Sequence, residues 1–165
     1  MHSLKKIDTN LIKFFMENQL YVYNIWFQEV EKKFGLDSAL NTSLEVWKKL
    51  GKIDGKKISK IFGPARDLDD LLKLIDIASY FALMGIEIQK IDEKSAYINV
   101  LSCYWRDSLS KNPKLKKEPI NCNEIGISAL SSFIESINPD YEIIVDKAIP
   151  LGDEFCRLLV QKKKK

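Results

Sequence analysis

The sequence has a single histidine, His2, close to its first residue. Ser-His-Asp and Cys-His catalysis therefore has no imidazole in the body of the chain. His-rich zinc, haem and non-haem iron sites are disfavoured on the same ground. No GxGxxG, Walker A or GxSxG pattern occurs, so the common nucleotide-binding and hydrolase signatures are missing. No apolar run approaches the ~18 residues that suggest a membrane span, and the opening MHSLKKIDTN lacks the apolar core of a signal peptide. Charge of one sign is also scarce. The net charge is +3, and without the four lysines Lys162 to Lys165 the balance is 22 basic against 23 acidic residues, a nearly neutral body. A neutral body argues against nucleic-acid binding through phosphate contacts, and no membrane association is expected. The three cysteines, Cys103, Cys122 and Cys156, form no CxxC pair. An odd count without a signal peptide points to a reduced, cytoplasmic protein.

What is present is ordinary globular material. The 165 residues are 45% hydrophobic and 30% charged, which suits one domain over 1–165 with frayed tails at 1–7 and 162–165. Asp8-Thr9-Asn10 supplies caps for a first helix over Leu11 to Phe34, with Gly35 as its stop. Phe14, Phe15, Val22, Ile25, Trp26, Val30 and Phe34 are its expected buried side. A single turn over Asp37 to Leu40 precedes a capping box at Thr42 to Glu45. A helix over Ser43 to Phe62 follows, with Leu44, Trp47, Leu50, Ile58 and Ile61 inward and a kink expected near Gly51 and Gly55. Asp67-Leu-Asp-Asp70 opens a third helix, apolar on most sides, which Gly85 ends. The period then changes to two over Ile86–Ile91 and Ala96–Leu101, a hairpin. A short helix over Tyr104 to Leu109, a basic loop over Ser110 to Pro119, and a helix from about Cys122 to Ile137 come next. Strands over Tyr141–Ile149 and Glu154–Gln161 close the chain. The order predicts an α+β fold: N-terminal helices, then hairpin-helix-hairpin, with an antiparallel sheet of about four strands and helices on one face.

Two constellations carry candidate chemistry. Cys122 stands in the first turn of a helix, where unpaired N–H groups and the positive dipole end favour a thiolate. If the protein is an enzyme, Cys122 is the nucleophile, with Glu124 or Asp153 as base. No metal is expected; the residues a metal would use are Cys122, Asp146 and Cys156. The second constellation is aromatic. Trp26, Trp47, Tyr80 and Trp105 are candidates to line a pocket between helices and sheet. Arg106, one of three arginines among many lysines, is the candidate anchor for an acidic ligand.

Residues 23–53, YNIWFQEVEKKFGLDSALNTSLEVWKKLGKI, resemble an uncharacterised prokaryotic family with a tryptophan helix, an EKFGLExA junction and an ExWxxLG motif. Here those are Trp26, EKKFGLDSA at 31–39 and EVWKKLG at 45–51. That family resembles the L-2-amino-thiazoline-4-carboxylic acid hydrolase-like proteins. The second half is more distantly similar to the 4-vinyl-reductase ligand-binding domains, whose pattern has a cysteine at a helix start and a later GDxxC. Cys122 and GDEFC at 152–156 match those parts. Some of those domains bind zinc, but the positions that would hold a further cysteine and a glutamate are Ala148 and Val145. The resemblance implies an α+β fold and a small-molecule pocket, and no cofactor is expected. The resulting expectation is a cytoplasmic, homodimeric small-molecule-binding or sensor-like domain. The alternatives are a hydrolase of a small cyclic amide-like or amidine-like carboxylic acid, and a partner-binding module without a ligand.

Overall fold

The computed structural model describes residues 9–82, 84–104, 106–107 and 122–164. Among the described residues, four long helices and four strands make up the fold. They are α1 Thr9–Phe34, α2 Leu36–Phe62, α3 Leu68–Phe81, β1 Met84–Lys90, β2 Ser95–Cys103, α4 Cys122–Ile137, β3 Tyr141–Lys147 and β4 Cys156–Lys162, with a 3-10 turn at Ile149–Leu151. The strands form one antiparallel sheet in the order β1-β2-β4-β3. The expected α+β class, with helices on one face of a four-stranded sheet, is what the chain adopts.

Alternation along the strands decides which face the helices cover. Ile88, Ile98, Leu158 and Val145 stand in one cross-strand row, and Ala96, Val160 and Ile143 in the next. These apolar rows meet Leu68, Leu71 and Ile75 of α3 and Phe133, Ile134 and Ile137 of α4 in a single core. The opposite face is mixed: Glu87, Asn99 and Arg157 form one polar row, and Tyr97, Leu159 and Ile144 stand in the next. Arg157 pairs with Asp146 at 2.6 Å and lies over the Tyr97 ring, and Gln161 donates to Glu142.

Helix ends follow local chemistry. Asp67 caps α3 by accepting the Asp70 N–H at 2.9 Å. Gly35, at φ +87°, is the only residue between α1 and α2, a conformation that L side chains rarely adopt. The short turn and capping box expected before α2 are absorbed into one 27-residue helix. Thr42 instead donates its hydroxyl back to the Ser38 carbonyl. Gly85 does not stop a helix. It sits in β1, donates its N–H to Ser102 Oγ, and lies so close to that side chain that a Cβ would meet it at 2.6 Å. β4 ends at Lys162, paired with Tyr141, and the Lys163 N–H donates to the Asp140 carbonyl.

Two apolar faces turn out differently from the expectation. On α1, Phe14, Phe15, Val22, Ile25 and Phe34 are all more than half exposed, whereas Phe27 is buried and Tyr23 points to α2. On α2, Leu50 and Ile61 face outward, and the buried positions are Ala39, Ser43, Gly51, Gly55 and Ile58. Four of those five are small. Gly51 and Gly55 mark a close helix crossing and not a kink. A Cβ on Gly51 would lie 2.1 Å from the Ala129 carbonyl oxygen, and one on Gly55 would lie 2.6 Å from that of Phe133. Both obstacles are α4 backbone, which cannot swing aside. α2 and α4 therefore pack backbone to backbone through the two glycines.

A glycine in a helix interior ordinarily costs about 1 kcal/mol relative to alanine. Here the sign should invert. Gly51→Ala and Gly55→Ala are expected to destabilise by about 1–3 kcal/mol each through forced separation of α2 and α4. Gly126→Ala on α4, where nothing lies within 4 Å of the added Cβ, should instead be neutral or stabilising. Urea midpoints at constant slope check this.

Candidate functional site

Three regions hold the residues that the sequence singles out. The first is an aromatic cluster between α1 and α2. The Tyr23 ring centroid lies 5.3 Å from Trp47, 5.8 Å from Trp26 and 6.2 Å from Phe27. Its hydroxyl hydrogen-bonds with Ser43 Oγ, itself fully buried. A small residue at 43 lets the tyrosine approach α2, and its hydroxyl satisfies the phenol there. Burial pushes the Tyr23 phenol above its ordinary pKa, while hydrogen bonds with Ser43 and Trp47 work against the shift. Trp26 and Trp47 are thus brought together through Tyr23, as packing between two helices.

The second region lies where α3 ends and β1 begins. An open depression of about 440 Å³ is lined by Ile77, Tyr80, Phe81, Met84 and Ile86, with Asp76 and Ser79 as its polar members. The Tyr80 and Phe81 rings meet edge to face at 5.8 Å and are about half exposed. Neither Trp26 nor Trp47 lines it, so the aromatic candidates fall into two places. A further open groove, about 520 Å³, runs beside α2, α4 and β3. Leu44, Lys48, Ile127, Ser128, Ser131, Ser132, Glu135 and Val145 line it. Sequence reasoning missed this groove; the serine-rich ISALSSFIES stretch of α4 was the available signal.

The third region is one end of the sheet. β2 finishes at Cys103, β4 begins at Cys156, and Val100 pairs with Cys156. α4 begins at Cys122 and returns to β3 through three residues, so its start faces the same end as the start of β4. Three cysteines remote in sequence are therefore carried on elements that meet at one end of the fold. Their sulfurs have local partners where described. Cys103 Sγ accepts the Arg106 N–H at 3.5 Å, and Cys156 Sγ accepts the Ile149 N–H at 3.4 Å. Asp153 accepts the Ala148 N–H at 2.8 Å and so closes the β3–β4 turn. The Arg106 guanidinium is paired with Asp107, which raises its pKa, with Cys103 and Cys156 adding to the effect. Asp146 belongs to the outer face of the sheet with Arg157, whereas Cys156 belongs to the inner rows. Among the described residues no three His, Cys, Asp or Glu groups are placed to hold a metal ion. Trp105 and the side chains of Cys122 and Glu124 lie outside the described residues.

Helices stacked on one face of a small antiparallel sheet define a fold class that solved structures share. The chain is similar to a trafficking protein particle complex subunit 3 from Naegleria fowleri, solved covalently bound to palmitic acid. The TM-score is 0.64 at 16% identity, over 92% of this chain and 97% of that one. It is also similar to the phenol-responsive sensory domain of the transcription activator PoxR, solved with phenol. There the TM-score is 0.54 at 10% identity, over 84% of this chain and 71% of that one. The chain itself belongs to DUF6125, a family of unknown function, whose pattern matches residues 3–155. No curated protein matches the sequence. No link to the L-2-amino-thiazoline-4-carboxylic acid hydrolase-like proteins emerges from these likenesses. Among the described residues no helix is long and apolar enough to cross a membrane.

Tyr23→Phe should cost roughly 1–2 kcal/mol at neutral pH by leaving the buried Ser43 hydroxyl without its partner. A phenol whose pKa is raised on folding contributes stability that is complete below its unfolded value of about 10 and is lost as pH rises through the folded value. Urea unfolding against pH should therefore show stability falling above about pH 10, and falling less steeply in Tyr23→Phe. Tyr141, whose pKa is also raised by burial and by the Asp67, Asp140 and Asp69 carboxylates, should account for part of the remaining loss.

Proposed function

We propose that this protein is a cytoplasmic, homodimeric ligand-binding or sensor-like domain that takes a small apolar or aromatic molecule at the end of α3. The observation that carries the reading is the depression lined by Ile77, Tyr80, Phe81, Met84 and Ile86. Its volume lies within the range of small-molecule sites, and a mainly apolar wall with a few polar groups is their usual composition. Tyr80 and Phe81 offer ring faces and edges for an aromatic or acyl ligand, and Asp76 and Ser79 offer polar atoms to orient it. The two similar folds, one solved with phenol and one carrying palmitic acid, support the same class of ligand.

Native mass spectrometry of the purified protein tests the reading, followed by calorimetric titration with phenol and with palmitate as probes. A non-covalent mass lost on denaturation, or saturable binding of either probe, is expected. Tyr80→Ala should weaken that binding at least tenfold while changing stability little, because the ring is 52% exposed. A bare mass together with no saturable binding of either probe would overturn it.

A further inference from the structure

Helix α1 has two apolar faces, and among the described residues the fold covers one. Tyr23 and Phe27 turn towards α2. On the opposite side, Leu11, Phe14, Phe15, Tyr21, Val22 and Ile25 are between 52% and 68% exposed. At 3.6 residues per turn these six fall in a stripe about 120° wide, centred on Asn18. No charged residue stands on that stripe between Leu11 and Ile25. Six large apolar side chains on one helix face exceed the scattered exposure that soluble proteins normally show.

The order of these residues says what covers them. Leu11 and Ile25 lie seven positions either side of Asn18, Phe14 and Val22 four, and Phe15 and Tyr21 three. The apolar pattern is its own mirror image along the chain. A two-fold axis through Asn18 that sets two such helices antiparallel brings every apolar residue level with an apolar counterpart. Leu11 comes level with Ile25, Phe14 with Val22, and Phe15 with Tyr21. Asn18 meets Asn18, and its amide holds both donor and acceptor, so it is complementary to itself. A single polar residue within such a seam is a known device for setting register. The area is also adequate. With aromatic side chains of about 150–250 Å² each, the stripe offers on the order of 600 Å² per copy, near the ~800 Å² per partner of a standard interface.

We propose that two copies of this chain pair antiparallel through α1, with the dyad at Asn18. The pairing specifies the homodimer of the functional reading above and does not depend on its ligand. Helices so placed give an isologous, closed contact, which limits assembly to two copies.

Sedimentation velocity over a concentration series tests it with two charged variants, Phe14→Glu and Val22→Lys. Both positions are more than half exposed, so the fold should survive, as far-ultraviolet dichroism will check. Wild type should be dimeric, and each variant alone should dissociate at least 100-fold more readily, since two like charges then enter the seam without a partner. Mixing the variants should restore a dimer, because Glu at 14 in one copy comes level with Lys at 22 in the other. A wild-type monomer at all concentrations overturns both the homodimer and the pairing. A dimer indifferent to both substitutions overturns the α1 pairing and leaves the homodimer standing. Variants that dissociate alone yet do not recombine overturn the antiparallel register.

Discussion

The close approach of α2 and α4 through Gly51 and Gly55 is the constraint on which the remaining architecture depends. With no Cβ at either position, the α2 backbone lies against the carbonyls of Ala129 and Phe133. That contact holds α4 between α2 and the sheet. From there Phe133, Ile134 and Ile137 reach the inward rows of β3, β4 and β2. α2 is in turn the platform for α1, through Ser43 and Trp47 against Tyr23. Layers of sheet, α3 with α4, α2 and finally α1 follow in that order. Close-packed interiors transmit such a constraint because there is little void to absorb a displaced helix.

The outermost layer is the least satisfied one. Among the described residues α1 leans chiefly on α2, and its other apolar side is exposed. Hydrophobic burial is non-directional and proportional to area, so an amphipathic stripe of this size is incomplete until something covers it. The core below it closes without α1, since the buried cluster draws on α2, α3, α4, β2, β3 and β4, with Ile86 and Ile88 of β1 partly buried against it. The fold thus separates a self-sufficient core from an outer helix available for association. The α3–β1 depression lies on the core side of that division.

Much of this was legible in the residues. The period-two runs around the Asp92–Ser95 turn, the Asp67 cap, the Asn138-Pro139 stop and the alternation from Tyr141 each report local backbone preferences, and each element stands where expected, save that the strand expected over Tyr141–Ile149 ends at Lys147 and Ile149 opens a 3-10 turn. The glycines were read by propensity alone, and propensity cannot tell a glycine that weakens a helix from one that admits a neighbour. Gly51, Gly55 and Gly85 belong to the second kind. Trp26, Trp47 and Tyr80 were read as one pocket because aromatics look alike in sequence. Their separation into a packing cluster and an open depression depends on which helix meets which.

The sequence by itself determined the element types, the antiparallel hairpins, the single-faced sheet and the classes of chemistry that lack the residues they need. These rest on spacing, turn residues and composition, which are properties of neighbours along the chain. Only the tertiary structure decided which apolar face of α1 is buried, why α2 stays unbroken through two glycines, and that three distant cysteines sit on elements meeting at one end of the sheet. A residue carries its hydrophobicity with it, but burial belongs to a pair of surfaces, and the second surface is supplied by the fold.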